Sequence, residues 1–160
     1  MSYIYPAPGV AAKELTLSLE IEADGTNDSL DIPALQDVTV NAANDVFTWT
    51  TLDVGAKQNI ATTSTNSIAM NLVLDEASFF GTAAGSTGTT ASAAGIFGMS
   101  NQKDKVEFSL YLGDNDDGTD GATITGSGYI TGLAPTVSAD APVWVSPITI
   151  TVDGEYTISK

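Results

Sequence analysis

Residues 105–130 read KVEFSLYL, then GDNDDGTDG, then ATITGSGYI. In the first piece apolar and polar residues alternate. Val106, Phe108, Leu110 and Leu112 fall on one face, and Lys105, Glu107, Ser109 and Tyr111 on the other, the two-residue period of a half-buried strand. The nine residues that follow are Gly, Asp, Asn and Thr alone, a turn composition. The third piece is rich in β-branched residues and returns as a partner strand, so the stretch predicts an antiparallel hairpin.

The same period recurs on either side. In ELTLSLEIE (14–22), Leu15, Leu17, Leu19 and Ile21 share a face, and burying each is worth about 1.5–3 kcal/mol, enough to anchor a sheet. Asp24-Gly25 then signals a turn. After a short apolar piece at 35–40, VFTWTTL (46–52) is a strand by composition. In SIAMNLVL (67–74), Ile68, Met70, Leu72 and Leu74 share a face. The polar residues 53–66 between these two strands predict a connection longer than hairpins normally use, hence a functional or mobile loop.

Residues 75–80 predict one short helix with acids at its positive end. The Gly/Ala/Ser/Thr tract at 81–95 predicts a flexible loop, and Ile96, Phe97 and Met99 a short helical turn. Near the C-terminus, VWVSPITITV (143–152) changes parity across Pro147, which predicts a bulge or an edge position there. A last strand at 156–159 follows Asp153-Gly154. Trp49 and Trp144 lie in predicted strands and are expected to pack in the core. Strands at this spacing with little helix predict an all-β fold, a β-sandwich or partial barrel with one short helix, as a single domain over residues 1–160.

Composition excludes much chemistry. Twenty acidic residues face five lysines and no arginine, for a formal charge of −15. Nucleic-acid binders neutralise phosphates with clustered basic residues, so tight DNA binding is not expected. With no histidine and no cysteine, His-dependent triads, cysteine nucleophiles, ordinary zinc sites and disulfides are out of reach. No enzyme activity, cofactor or metal is expected. The N-terminus lacks the basic and apolar regions of a signal peptide, and no stretch is apolar for long enough to span a bilayer, so neither export nor a membrane is expected.

Isolated motifs do not change this. Gly126-Ser127-Gly128 lacks the third glycine and following helix of a dinucleotide loop and reads as strand glycines that permit close approach. Ser100-Asn101-Gln102-Lys103 matches S-x-x-K without its companion motifs. Asp114, Asp116, Asp117 and Asp120 have the composition of a calcium loop. Counting twelve residues from Asp114 or Asp116 reaches Thr125 or Ser127 where a bidentate Glu is needed, so a solvated hairpin tip is the reading. Glu20 and Glu22 share a strand face, read as a solvated face and not a glycosidase pair. The first 13 residues, with Tyr3, Tyr5, Pro6 and Pro8, favour an extended arm that either frays or packs on a neighbouring subunit.

Over residues 100–158 the order of features resembles that of tail tube proteins of tailed bacteriophages, with the Hcp-like tube fold. The resemblance rests on a short helix, KVEFSLYLGDND as a strand, the Gly128-Tyr129-Ile130 strand leading into LAPTV (133–137), and a closing strand ending at Asp153-Gly154. It implies a structural subunit of the virion, assembled in the host cytoplasm, that closes into hexameric rings with a shared inner β-barrel and stacks around a channel conducting genomic DNA without binding it specifically. Implied partners are other copies of the chain, the tape measure protein, the terminator and baseplate or tail-tip components. Implied stacking contacts are the arm over 1–13, with Tyr3, Ile4, Tyr5 and Pro6, and the 53–66 segment, with Val54, Lys57 and Ile60. Alternative readings are a tube or decoration component of another phage or contractile injection particle, or a carbohydrate-binding β-sandwich.

Overall fold

The computed structural model describes residues 15–21, 28–32, 35–112, 122–140 and 143–159. Tyr3, Ile4, Tyr5 and Pro6 and the acidic tip at 113–121 lie outside them. Eight strands form one antiparallel sheet: β1 (Leu15–Ile21), β2 (Leu30–Asp31), β3 (Leu35–Thr51), β4 (Val54–Val73), β5 (Lys105–Leu112), β6 (Ala122–Leu133), β7 (Val145–Val152) and β8 (Thr157–Ser159). Their order is β2-β1-β5-β6-β7-β4-β3. The long β6 is shared, with β8 on Thr123 to Thr125 and β7 on Gly128 to Leu133. The all-β class therefore holds in its partial-barrel form, a single sheet curled into a half-barrel.

The hairpin predicted at 105–130 forms in continuous register from Lys105↔Tyr129 to Leu112↔Ala122. Val106, Phe108 and Leu110 are buried, as alternation required. They join Ile68, Met70 and Leu72 of β4 and Ile148, Ile150 and Val152 of β7 in one core. Gly126 has a packing reason: a Cβ there would stand 2.7 Å from Cζ of Phe108.

One face of the sheet is covered by helices α1 (Glu76–Phe80) and α2 (Ala91–Gln102). Helix α1 sits where sequence placed it, capped by Asp75, whose carboxylate accepts from the Ser78 amide at 3.1 Å. The tract at 81–95 is a correction. It is packed, with a 3-10 turn at Ala84–Ser86 and the first half of α2, and Ala91 and Ala94 are fully buried. Small residues are what this junction demands. Gly81 and Gly95 both have positive φ (75° and 68°), and each backbone stands where the other's neighbourhood would place a side chain. Low complexity here encodes close backbone approach.

Asp28 completes this layer from outside the helix. Its carboxylate accepts from the amide and hydroxyl of Ser92 at 3.1 and 2.5 Å, in the first turn of α2. The hydrogen bonds from the Ser92 and Thr90 side chains and the Ser92 amide hold its carboxyl below the usual range, as expected of an acid at a helix N-terminus.

Pro147 is a second correction. Strand β7 is central, pairing with β4 without a register shift, and its inward residues run Ser146, Ile148, Ile150 and Val152. The parity change arises because the strand starts at Val145. Proline is tolerated because Val145 exchanges both backbone bonds with Thr136, so Pro147, two residues on, points to the same side. The β6 ladder there ends at Ile148, and no donor is required.

Candidate assembly surfaces

The largest departure from sequence expectation is at residues 53–66. They form no loop: β4 runs unbroken from Val54 to Val73 and pairs with β3 around a turn at Leu52 and Asp53. Strand β7 accompanies β4 only as far as Ser67↔Thr151. Beyond that point β3 and β4 continue alone as a two-stranded ribbon, about 40 Å long at ~3.3 Å per residue.

A bare ribbon is marginal by itself, and this one is held at its root and along its length. The Tyr156 hydroxyl lies within donating distance of the carbonyls of Asn41 (2.7 Å) and Ser67 (2.8 Å), while the Asn66 amide donates to the Gly154 carbonyl at 2.8 Å. Both contacts fasten the root to the β7–β8 connection. Burial pushes the Tyr156 phenol up from its ordinary pKa. Along the ribbon the Thr48 hydroxyl donates to Asn59 Oδ1 at 2.7 Å and the Thr63 hydroxyl to Asp45 Oδ2 at 2.9 Å.

The ribbon carries an exposed apolar patch among its polar residues. Phe47 (59% exposed) pairs across the strands with Ile60 (54%), and Phe47 and Trp49 stack at 5.9 Å. Val46, Val54 and Leu52 are also exposed. Val54, Lys57 and Ile60, the implied contact residues, are thus brought together on this ribbon, all exposed. Sequence reasoning missed Phe47 and Trp49 as surface residues and expected Trp49 in the core; it is only partly buried. The available signal was the polar partner of Trp49, Gln58, which does not suit a core.

A second apolar surface lies at the opposite end of the same strands. Trp144, also expected in the core, is 51% exposed, and Val137 and Val143 are exposed with it. Trp144 precedes β7, and its carbonyl accepts from the Leu74 amide at 2.9 Å. This brings the start of α1, with Asp75 and Glu76, beside it, and exposed Asp140 lies on the same connection.

Two further features concern neighbours. Among the described residues β3 has no partner on its outer side along 17 residues, and at the other end of the sheet β2 covers β1 only at Ser18 and Leu19. The sheet face turned away from the helices carries polar rows. One runs Lys105, Tyr129, Thr151, Ser67, Asn41 in register across five strands. Another holds Asn71, whose amide donates to the Asp37 carboxylate at 3.0 Å. Lys105 reaches Asp153 at 3.2 Å. Among the described residues no three acidic side chains cluster as a metal site, and no helix is long and apolar enough to cross a membrane.

No protein-family model and no curated protein matches this chain. Solved structures do. A chain of the SPP1 tail tube superposes with a TM-score of 0.66 at 11% identity, covering 92% of this chain and 77% of that one. A chain from the tail of an empty gene transfer agent particle with C6 symmetry gives 0.64 at 13%, over 90% and 96%. The fold is that of a tail tube subunit. The tube fold extends to contractile machines: a sheath/tube terminator structure of an extracellular contractile injection system gives a TM-score of 0.62 at 18% identity, over 100% and 99%.

Proposed function

We propose that this chain is a structural, non-enzymatic subunit of a phage tail tube, a single domain whose copies close into hexameric rings and stack around a channel that conducts genomic DNA. The observation that carries this reading is a sheet curled only half way round and, among the described residues, open along β3 and most of β1, in a fold shared with chains of tail tube and injection-system structures. An open edge of 17 residues is an aggregation template unless another strand covers it, and ring closure with a shared inner barrel removes both edges. The polar face turned away from the helices then faces the channel. With a formal charge of −15 per subunit, the wall repels DNA over a Debye length of about 8 Å.

The partners on this reading are other copies, the tape measure protein, the terminator and baseplate or tail-tip components, within a virion assembled in the host cytoplasm. The arm over 1–13, with Tyr3, Ile4, Tyr5 and Pro6, and the ribbon, with Val54, Lys57 and Ile60, supply ring-to-ring contacts. The likeness to a contractile-system terminator structure favours, as a second reading, a tube component of such a particle. A carbohydrate-binding role is disfavoured because Trp49 and Trp144 stand at opposite ends of the sheet and build no common platform.

Electron microscopy of the purified chain tests the proposal. Hollow tubes with six subunits per ring are expected, and deletion of residues 1–13 abolishes them while preserving the β-type circular dichroism. Monodisperse monomers of the full chain at high concentration would refute the tube reading.

A further inference from the structure

The ribbon and the Trp144 end are apolar surfaces of one molecule that never meet within it. Val54 and Val73 bound β4, on the order of 60 Å apart at ~3.3 Å per residue, with Phe47, Trp49 and Ile60 toward one end and Val137, Val143 and Trp144 at the other. Their charges are complementary. Lys57 is an exposed lysine on the ribbon, and Asp75, Glu76 and Asp140 surround the far end. In a chain with five lysines among twenty acids, a cation carried on the projecting arm is well placed to choose an acidic partner surface.

We propose that the ribbon of one copy seats its Phe47–Trp49–Ile60 face on the Val137–Val143–Trp144 surface of the next copy, with Lys57, beside that face in the tip where the register shifts between Trp49 and Thr51, directed at the Asp75, Glu76 and Asp140 carboxylates. The inference rests on the tube reading and names the two surfaces through which that tube grows. The contact is heterologous, because two different patches of the same chain meet, so every added copy presents a fresh ribbon and a fresh receiving end and assembly continues along one direction. Ribbon-to-ribbon pairing would stop at dimers and leave Trp144 exposed.

The chain has no cysteine, so introduced thiols report contacts without background. Ile60→Cys and Val143→Cys, both at exposed positions, are mixed under assembly conditions and oxidised. A disulfide-linked dimer is expected from the mixture and from neither variant alone, and the double variant gives a ladder on a non-reducing gel. If tubes form but Ile60→Cys links to itself, or to Phe80→Cys on the exposed Phe80 and Phe97 surface, the contact is wrong while the tube reading stands. If the unmodified chain forms no polymer, both fall together. Lys57→Glu should slow assembly at least tenfold at low salt, with recovery in Lys57→Glu/Asp140→Lys; an unchanged rate in the single variant overturns the charge pairing.

Discussion

Strand β4 offers an internal comparison between two aliphatic residues of one strand, Leu72 and Ile60. Leu72 is 3% exposed within the core, whereas Ile60 is 54% exposed on the ribbon. Leu72→Ala removes three carbons, about 2.4 kcal/mol of transfer free energy at ~0.8 kcal/mol each. The residual cavity adds to this, giving about 2–5 kcal/mol in all. For a chain of this size that is a fall in Tm of about 4–20 °C. Ile60→Ala removes no buried contact within the subunit and should stay within about 0.5 kcal/mol. Urea unfolding at concentrations too low for assembly measures both, since polymerisation would add its own stabilisation. The midpoint should drop for Leu72→Ala with an unchanged slope. Equal losses at the two positions would refute the placement of the core boundary at the ribbon root, and a negligible loss at Leu72 would mean that the faces of β4 are reversed.

Tyr156→Phe removes the hydroxyl at the ribbon root and should cost about 0.5–1.5 kcal/mol, with faster amide exchange in β3 and β4 beyond Asn41 and Ser67; unaltered exchange there would show that the root is held by the ladder alone. Asp28→Ala should cost about 0.5–1 kcal/mol at neutral pH, the lower part of the capping range for a solvated group. Because hydrogen bonds from Ser92 and Thr90 lower the folded-state pKa of Asp28, its contribution is present above the unfolded value of about 3.9 and is lost as pH falls through the folded value. The gap between wild type and variant should therefore close below about pH 4; a gap of equal size at pH 7 and in strong acid would exclude the carboxylate as its source.

The sequence was readable where one face of an element is buried and the other solvated. β5 was bounded to the residue by the alternation of Val106, Phe108 and Leu110, because its neighbours impose a two-residue period. The cap at Asp75 was legible for the equivalent reason in a helix: the acid and the orphan amides it serves lie within one turn. The ribbon was not legible. Residues 54–65 are polar or small apart from Val54 and Ile60, because neither face is buried in the subunit, so no period marks the segment as a strand. Its threonines carried the only local hint. The tract at 81–95 failed in the opposite sense, since small side chains suggest too little surface to order, yet here smallness lets α1 and α2 meet backbone to backbone.

By itself, then, the sequence determined a Cys-free, His-free, strongly acidic chain, an all-β class and the core faces of its central strands, since these follow from composition and from periods that neighbouring residues set. Only the tertiary structure decided that β3 and β4 outrun the sheet, that Phe47 and Trp144 face solvent at opposite ends of it, and that the helical layer closes over glycines. Each of those depends on which distant strand lies alongside, and pairing at long range leaves no mark in a local pattern when the paired segment has nothing to bury.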